Sequence, residues 1–462
     1  MLCDNGPMQS SPSSVSGLWP VSSRDGFPCM ADELPVIGHA VALHLNAVGA
    51  LQRAYRDVGP LFWVHLGFGN RFLFCVGPGS FDLMKDPRLV TVGSRNSLEY
   101  LIGNSLLSLD GTPHRRIRGA LNPPFAPRGL SESITGQLIR SVVTDCAERL
   151  FRSEQAAIHD EMKDMALDLV LRIAGVGAQD LPAWRKQYTE AMLGLIPVPW
   201  NLPGLPRYRA LRAVEWLDTQ IGALLQKARE EPGGNSLLHA LLQARDENGR
   251  GLDQKELLDN IRTLFLAGHE TTASTTAWAV LHLSLDPRLW QRLVEEASRG
   301  AGVPATPAEA KQFPLCEAIF RESVRMYGPA WFLNRRTTEA IEFAGRSIPA
   351  GLTIAIAPSL WARDPAQFPE PNAFRPDRWL GRPPPTPYEI SQFGGGAHFC
   401  LGYHLAWLEV VAFLVALGRE AHKQAPGQLP RLHCPEALRP RFFPTLHPPA
   451  GTRVRFRGSV TA

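Results

Sequence analysis

The stretch Phe393-Gly-Gly-Gly-Ala-His-Phe-Cys-Leu-Gly402 places a thiol between a glycine-rich turn and an apolar, helix-forming run. The glycines at 394 to 396 permit backbone conformations that other residues avoid, and Gly402 lets a ligand approach the backbone closely. Unpaired backbone N–H groups at the start of a helix carry a positive partial charge, so they stabilise a nearby thiolate. We therefore expect the next helix to begin at Cys400 and the loop to hold its sulfur against a metal.

A lone buried cysteine is more often a small apolar residue than a ligand, so Cys400 needs support from the rest of the chain. The chain has seven cysteines, an odd number, and they are scattered without a C-x-x-C pair. This pattern argues against a disulfide framework and against a zinc site. Reduced cysteines fit a cytoplasmic protein.

The composition predicts a soluble globular protein. Of 462 residues, 44% are hydrophobic and 20% are charged, which allows a sizeable core. A net charge of +4 is small for this length and argues against nucleic-acid binding. We find no apolar run of about 18 residues and expect no membrane anchor. Residues 1–33 are rich in Ser, Pro and Gly, so we expect a flexible leader before a single domain at 34–462.

Most of the chain has the apolar spacing of helices. The exceptions are a predicted hairpin at 61–66 and 71–76 and predicted strands near 340–356 and 453–457. The sequence therefore predicts a mainly α fold with a small β region. The predicted helices span about 45–57, 129–152, 157–176, 181–194, 207–230, 252–285, 287–299, 314–327 and 401–420.

The predicted helix at 252–285 is unusually long. Asp253 and Glu256 suit a capping box at its start, and Asp286-Pro287 ends it. Its middle, Ala267-Gly-His-Glu-Thr-Thr272, carries a glycine, a charge and two β-branched hydroxyl residues where apolar packing is expected. Without support from other motifs, the ordinary interpretation of this segment is structural. The threonine hydroxyls would then bond to carbonyls of the preceding turn, and Glu270 would be an ion-paired surface carboxylate.

Phe393, Gly396, His398, Cys400 and Gly402 together resemble the haem-binding loop of the cytochrome P450 family, the haem-thiolate monooxygenases. The resemblance covers about residues 34–458. It implies a mainly α cytochrome P450 fold, in which a large helical domain with a long central helix accompanies a small β-rich region. It also implies haem b as cofactor, with Cys400 as the iron ligand and the other four residues in contact with the cofactor.

The hexapeptide 267–272 resembles the oxygen-activating segment of the same family. The resemblance implies that Glu270 is the acid and Thr271 the alcohol of a proton-delivery pair, since productive cleavage of the O–O bond requires protons. Ala267 would line the cofactor and, with Gly268, leave room for O2. We expect the intervening His269 to face solvent.

Glu322-Ser-Val-Arg325 resembles the E-x-x-R motif of the family. By itself a carboxylate and a guanidinium at i, i+3 form an ordinary surface ion pair. The resemblance adds Arg378 as the third member of a structural triad. Such a triad clamps the loop that leads to Cys400.

Burying the two haem carboxylates requires cations or other donors. The resemblance assigns this task to His114, Arg118, Arg335 and His398, although each alone is more typical of a solvated surface residue. Arg115 and Arg116 are expected on the surface where an acidic ferredoxin or flavodoxin-type donor docks.

The segments that line the substrate pocket in similar proteins are mostly apolar here. They predict a hydrophobic substrate such as a fatty acid, terpenoid, steroid or polyketide, and a role in secondary metabolism. The alternative is that they are ordinary core. The candidate pocket residues are Leu98, Leu101, Val198, Ala330, Trp331, Phe332 and Leu446.

Three functional classes stay open. A monomeric monooxygenase that hydroxylates or epoxidises its substrate, with electrons from a separate redox partner, is favoured because Glu270 and Thr271 are both present. A peroxide-driven peroxygenase is expected to carry an arginine-proline arrangement in their place. A non-catalytic haem-binding or recruitment module needs Cys400 but not the alcohol.

Overall fold

The computed structural model describes residues 23–67, 69–77, 79–92, 99–196, 198, 200–231, 233–382, 389, 391–433, 438–442 and 445–457. Helices form a large body beside a small β-rich region, as the apolar spacing predicts. The helices are α1 (Ala40–Val58), α2 (Glu99–Ile102), α3 (Gly111–Phe125), α4 (Pro127–Glu132), α5 (Thr135–Arg152), α6 (Ile158–Ile173), α7 (Leu181–Met192), α8 (Pro206–Glu230), α9 (Leu237–Gln243), α10 (Gln254–Leu285), α11 (Pro287–Arg299), α12 (Pro307–Ala310), α13 (Pro314–Tyr327), α14 (Pro358–Trp361) and α15 (Tyr403–Gln424).

The strands are short and belong to several small sheets. They are β1 (Ser23–Arg24), β2 (Phe27–Pro28), β3 (Leu61–His65), β4 (Arg71–Cys75), β5 (Leu89–Val90), β6 (Ala156–Ala157), β7 (Leu333–Thr337), β8 (Ile341–Phe343), β9 (Arg346–Ile348), β10 (Thr353–Ile356), β11 (Arg431–His433), β12 (Arg441–Phe442), β13 (Leu446–His447) and β14 (Arg453–Arg455). The largest sheet has the order β3-β4-β10-β7-β5. Only β4 and β10 pair in parallel there. This sheet carries Arg335 opposite Ile354.

Helix α10 is the central element of the helical body. Its 32 residues give a length of about 48 Å. The capping box that the sequence predicts is present, because Asp253 accepts the N–H of Glu256 while Glu256 accepts the N–H of Asp253. Helices α6, α8, α13 and α15 all pack against α10. Burial on several sides explains why its sequence lacks a simple amphipathic pattern.

The first half of α10 anchors the segment that precedes α3. The carboxylate of Asp259 accepts the N–H of Asn104 at 2.9 Å, and the amide oxygen of Asn260 accepts the N–H of Leu106 at 2.9 Å. Arg262, which is buried, donates to the carbonyl of Leu101 at 2.6 Å. These contacts fix the start of α3, which carries two of the predicted cofactor contacts.

Residues 23–33, which the sequence analysis assigned to a flexible leader, belong to the folded structure. Residues 23–28 form the β1–β2 hairpin, and Phe27 and Met30 are only 3% and 5% exposed. The N–H of Met30 also donates to the carbonyl of Trp63 at 2.9 Å. Extending the flexible leader to residue 33 was therefore wrong for residues 23–33, because their apolar side chains pack on the sheet. Residues 1–22 lie outside the described residues.

One stretch of the described chain, Gly396–Gln424, is long and apolar enough to cross a membrane by length and composition. The sequence reading found no such run and was wrong on this point. Of the 18-residue apolar window in this stretch, 61% is buried within the fold, and its helix α15 packs against α5, α10, α11 and α13. Packing on several sides is a sufficient reason for its apolar sequence.

Candidate functional site

The loop before Cys400 is held in a tight conformation by its glycines. Gly394 and Gly396 have φ of 78° and 60°, a region that side-chain-bearing residues rarely adopt. A Cβ on Gly396 would also lie 3.2 Å from the backbone oxygen of Met84. The N–H of Cys400 donates to the carbonyl of Phe393 at 2.8 Å, which closes the loop. The thiol is thereby presented from a rigid backbone.

The helix after the loop begins at Tyr403, with Gly402 as its N-cap residue. The expectation that it begins at Cys400 was wrong by three residues, since a short turn separates the sulfur from the first helical residue. The N–H of Gly402 nevertheless bonds to the sulfur. Burial raises the pKa of Cys400, while this N–H and the charge of Arg118 act to lower it. The sulfur thus has a donor and a cation beside it that favour a thiolate.

Glu322 and Arg325 form a fully buried ion pair on α13. Arg325 donates from two nitrogens to the two carboxylate oxygens of Glu322, each at 2.8 Å, and both side chains are 0% exposed. Arg378 donates to the same carboxylate at 3.1 Å. Trp379, which the sequence analysis did not identify, adds a hydrogen bond at 2.9 Å. The pair is therefore part of a network inside the protein and differs from an exposed helix pair.

The same network reaches the cysteine loop. The carbonyl of Arg325 accepts a long hydrogen bond of 3.5 Å from the side chain of Gln392, the residue before Phe393. Phe393 packs edge-on against Tyr403, with 4.9 Å between ring centroids. The loop is thus fixed both to α13 and to the first residue of α15.

The two arginines and two histidines predicted to hold carboxylates, Arg118, Arg335, His114 and His398, lie together. The rings of His114 and His398 are 4.1 Å apart between centroids. Burial lowers the pKa of His114 to about 4, and the charges of His398, Arg118 and Arg335 act in the same direction. Asp110 lies in the same cluster and accepts a hydrogen bond from His398 at 3.0 Å. It was missed by the sequence analysis because nothing around it marked it as more than a helix cap.

The partners of Arg118 and Arg335 are mostly neutral. Arg118 donates to the side chain of Asn122 at 2.7 Å and to the carbonyl of Phe399. Arg335 donates to the carbonyl of its neighbour Asn334 at 2.7 Å. Burial lowers the pKa of both guanidinium groups. Two partly buried cations whose hydrogen bonds end on neutral oxygens are suited to an anionic ligand.

The residues around Cys400 fit a haem. Nε2 of His114 is buried and has no hydrogen-bond partner among the described residues, as expected for a donor whose partner belongs to a ligand. A Cβ on Gly402 would lie 4.0 Å from the cysteine sulfur, an ordinary van der Waals contact, so Gly402 lies directly beside the sulfur. A sulfur donor beside a cluster of cations matches an iron porphyrin with two carboxylates.

The middle of α10 has one open face. Leu264, Gly268 and Thr271 are half-buried and Ala267 is exposed, whereas most residues around them on this helix are buried. Their spacing of i, i+3, i+4 and i+7 puts them on one side of the helix over two turns. The hydroxyl of Thr271 donates to the carbonyl of Ala267 at 2.7 Å. This hydrogen bond to the preceding turn is the purely structural role that the sequence analysis gave as the alternative for the threonines of this segment.

Glu270 lies on a different side of α10 and is only 4% exposed. Its carboxylate pairs with Lys163 of α6 at 3.0 Å. The next residue back, His269, is 5% exposed and packs near Tyr188, with 6.5 Å between ring centroids. The expectation that His269 faces solvent was wrong, because α6 and α7 cover this side of the helix.

A buried acid that the sequence analysis missed is Glu409 on α15. It is 6% exposed and forms a hydrogen bond with Thr272 of α10. Burial raises the pKa of Glu409 to about 8, although the bond from Thr272 acts to lower it. The sequence does carry a signal for this residue, because Glu409 is the one charged residue in the apolar run from Leu405 to Gly418.

Replacement of Glu409 by glutamine is expected to remove a loss of stability that builds up as the pH rises from about 4.5 to about 8. A folded-state pKa above the unfolded value means that stability is full below the unfolded pKa of 4.5 and is lost as pH rises towards about 8. At one pKa unit per ~1.4 kcal/mol, the loss amounts to a few kcal/mol. Thermal midpoints at several pH values check this. Equal pH slopes in the wild type and Glu409→Gln would contradict it.

The predicted pocket residues are only partly brought together. Trp331 stacks edge-on against Phe332 and Phe442, each with 4.6 Å between ring centroids. Leu446 joins this group, since its N–H donates to the carbonyl of Pro329 and its carbonyl accepts from Ser274 of α10. Ala330 and Phe332 are half-buried, whereas Trp331 and Leu446 are nearly inaccessible.

The remaining pocket candidates lie apart from this group in the chain. Leu101 is 1% exposed and sits against the first half of α10 through its carbonyl. Val198 is half-buried in the connection between α7 and α8. Leu98 lies outside the described residues.

Arg116 does not belong to the expected docking surface. It is half-buried and pairs with Glu256 at the start of α10, and it lies 3.9 Å from Asp246. The expectation that Arg116 is exposed for docking was wrong because its acidic partners, which draw it inward, are far from it in the sequence. Arg115 is exposed and donates to Thr112 at 3.0 Å.

Comparison with known proteins gives consistent matches. Residues 186–420 match the family model described as Cytochrome P450. The cytochrome P450 BJ-4 homolog of Sinorhizobium fredii (strain NBRC 101917 / NGR234) is 35% identical, over 94% of this chain and 97% of that protein. Cytochrome P450 BJ-4 of Bradyrhizobium diazoefficiens is 33% identical over the same shares of the two chains.

A solved structure, the retinoic acid bound cyanobacterial CYP120A1, superposes on this chain with a TM-score of 0.81. The match covers 93% of this chain and 98% of the other, at 24% sequence identity. The predicted fold is thereby confirmed.

Proposed function

Because the chain belongs to the cytochrome P450 family and is a haem-thiolate monooxygenase that carries haem b, we propose that it hydroxylates or epoxidises a hydrophobic small molecule. We infer that Cys400 is the iron ligand. The observation that carries this assignment is the position of its sulfur, beside the N–H of Gly402 and the charge of Arg118. When bound, haem supplies the iron at which O2 is reduced and one oxygen atom is passed to the substrate.

The cluster around His114 is proposed to hold the two haem carboxylates. Arg118 and Arg335 supply permanent positive charge, and His114 and His398 supply ring N–H donors. Asp110 orients His398 through its hydrogen bond. The cluster would thus hold the haem carboxylates and so orient the cofactor when it is bound.

On the open face of α10, Thr271 is proposed to hold the proton that oxygen activation consumes. Its hydroxyl donates to the carbonyl of Ala267 and keeps its lone pairs available on the exposed side of the helix. It can therefore accept a hydrogen bond from water there and pass the proton on when its own bond switches. Glu270 is proposed to resupply that proton through bound water.

Thr271→Ala is expected to retain haem and its thiolate spectrum but to divert electrons to hydrogen peroxide. Product formed per electron should fall by about tenfold to a hundredfold, the upper figure being the weak end of the ~10²–10⁴-fold contribution of a general acid. Oxygen uptake, peroxide and product are measured together. The matched control is Thr276→Ala, which loses a similar backbone hydrogen bond of 2.8 Å at a buried position of the same helix. Tight coupling in Thr271→Ala would refute the role.

The substrate is proposed to be an apolar molecule such as a fatty acid, terpenoid, steroid or polyketide. The group around Trp331, Phe332 and Leu446 is aromatic and aliphatic, and it adjoins α10 through Ser274. Such a lining binds through apolar contact and shape. A screen of hydrophobic compounds tests this, because a bound substrate displaces water from the ferric iron and shifts the haem spectrum. A response confined to charged, water-soluble compounds would contradict the proposal.

Electrons are proposed to come from a separate ferredoxin or flavodoxin-type donor in the cytoplasm, in a pathway of secondary metabolism. Exposed Arg115, in the same helix as Arg118, offers positive charge to an acidic partner. Turnover with such a donor and its reductase separates this proposal from a peroxygenase, which turns over with peroxide. The absence of turnover with both would favour a non-catalytic haem module.

A further inference from the structure

A cluster of ionisable side chains surrounds the buried carboxylate of Glu270. Lys163 of α6 pairs with its Oε1 at 3.0 Å, and Nδ1 of His269 lies 4.0 Å from the same oxygen. His159 stands one helical turn before Lys163 on α6. Its ring stacks on that of His447, with 4.7 Å between centroids and 7° between planes. Titratable groups from α6, α10 and β13 therefore meet at one place.

Three polar atoms of this cluster are buried without a hydrogen-bond partner among the described residues. They are Oε2 of Glu270, Nδ1 of His269 and Nε2 of His159. Buried polar atoms in native proteins are almost always satisfied, by ordered water where no protein group is near. The 4.0 Å between His269 and Glu270 is too long for a direct bond but suits a bridging water.

The cluster also connects the protein interior with its surface. The side chain of Lys163 is 37% exposed, whereas that of Glu270 is 5% exposed. His447 and His159, whose rings stack, are both half-buried. Polar side chains of intermediate exposure on α6 and β13 thus lie between solvent and the buried carboxylate of Glu270.

We propose that His159 and His269, with water molecules between them, relay protons from solvent to Glu270, while Lys163 holds its carboxylate in place. This inference rests on the proposed function of Glu270. In each transfer the unpartnered ring nitrogen, Nε2 of His159 or Nδ1 of His269, accepts a proton from a water molecule that takes up another proton from the solvent side. The imidazolium then releases its proton from the same nitrogen through a second water to the next group. The carboxylate ends protonated, each imidazole returns to its neutral form, and no electron moves.

The surroundings of His159 and His269 keep both imidazole rings neutral between proton transfers. Burial lowers the pKa of His269 to about 4, with Lys163 and Arg185 of α7 acting in the same direction and Glu270 opposing them. Burial likewise lowers the pKa of His159 to about 3, aided by His447, Lys163 and His269. Both rings are therefore neutral near neutral pH, with one nitrogen free to accept a proton.

The proposal is tested by turnover of His269→Leu and His159→Leu at saturating substrate. Product per oxygen consumed is expected to fall about tenfold in His269→Leu and the solvent deuterium isotope effect to rise, with KM unchanged. Combined with Glu270→Gln, His269→Leu should add little, because both changes interrupt one route. The control is His282→Gln, at a half-buried histidine on α10 that bonds to Tyr327.

A second readout is independent of turnover. Nitrogen NMR of labelled histidines in the diamagnetic reduced carbon monoxide complex should show neutral imidazoles at positions 159 and 269, and both signals should shift in Lys163→Met. Imidazolium at either position near neutral pH would overturn the relay. Normal coupling and isotope effects in both leucine variants, beside impaired Glu270→Gln, would also overturn it while leaving the proposed function intact. Impairment of neither Glu270→Gln nor Thr271→Ala would instead refute the proposed acid and alcohol.

Discussion

Cys400→Ser is expected to abolish the red-shifted Soret band that thiolate ligation gives to reduced, carbon monoxide-bound haem, and monooxygenase turnover should fall to background. A serine hydroxyl is a harder and far less electron-donating ligand than a thiolate, so the push that favours O–O cleavage is lost. Absorption spectra of the reduced protein with carbon monoxide, together with product analysis, measure both effects.

The matched control for this change is Cys146→Ser, at a fully buried cysteine on α5. Burial raises the pKa of Cys146 to about 12, so its thiol stays protonated and makes no ligand. This variant should keep the thiolate spectrum even where its stability drops. If the thiolate spectrum survived in Cys400→Ser and vanished in Cys146→Ser, the assignment of Cys400 as the iron ligand would be contradicted.

Glu322→Ala is expected to give protein that loses haem and unfolds at a much lower temperature. The carboxylate accepts hydrogen bonds from Arg325, Arg378 and Trp379, and its removal leaves the fully buried Arg325 without its counter-charge. Breaking such a buried pair costs roughly 3–5 kcal/mol, which is a large share of the ~5–15 kcal/mol that stabilises a domain. Haem content per chain and the thermal midpoint report the loss.

The control on the same helix is Glu317→Ala. Glu317 pairs with Arg321 at i, i+4, and its side chain is 23% exposed. Partial exposure limits the value of such a pair to about 1 kcal/mol or less. Glu322→Gln, which keeps acceptor and shape without charge, should fall between the two. Full haem content and an unchanged midpoint in Glu322→Ala would show that the network does not clamp the cysteine loop.

Local signals in the sequence account for much of the helical architecture. The bounds of α10 follow from Asp253, Glu256 and Asp286-Pro287, which act within a few residues of the helix ends. The hairpin β1–β2 was missed because its stability comes from contacts with β3, far along the chain, while its own composition is typical of flexible segments. The parallel pairing of β4 with β10 joins residues such as Leu73 and Ile354, and no local pattern encodes that partnership.

In the candidate site, too, some features follow from local sequence and others depend on contacts between distant parts of the chain. Cys400 and the acid–alcohol pair stand in short motifs, so the sequence analysis could name them. The burial of His269, the ion pair of Glu270 with Lys163 and the position of Glu409 depend on how α6, α10 and α15 pack. A residue's neighbours on another helix determine whether a histidine is solvated or enclosed, and one sequence does not reveal them.

The proposed bond between Cys400 and the haem iron is tested most directly by iron-edge X-ray absorption of the ferric wild-type protein beside Cys400→Ser. Sulfur in the first coordination shell of the wild type, and its loss in the variant, is the predicted result. A wild-type shell made only of nitrogen and oxygen, or one whose sulfur persists after Cys400 is replaced, would contradict it.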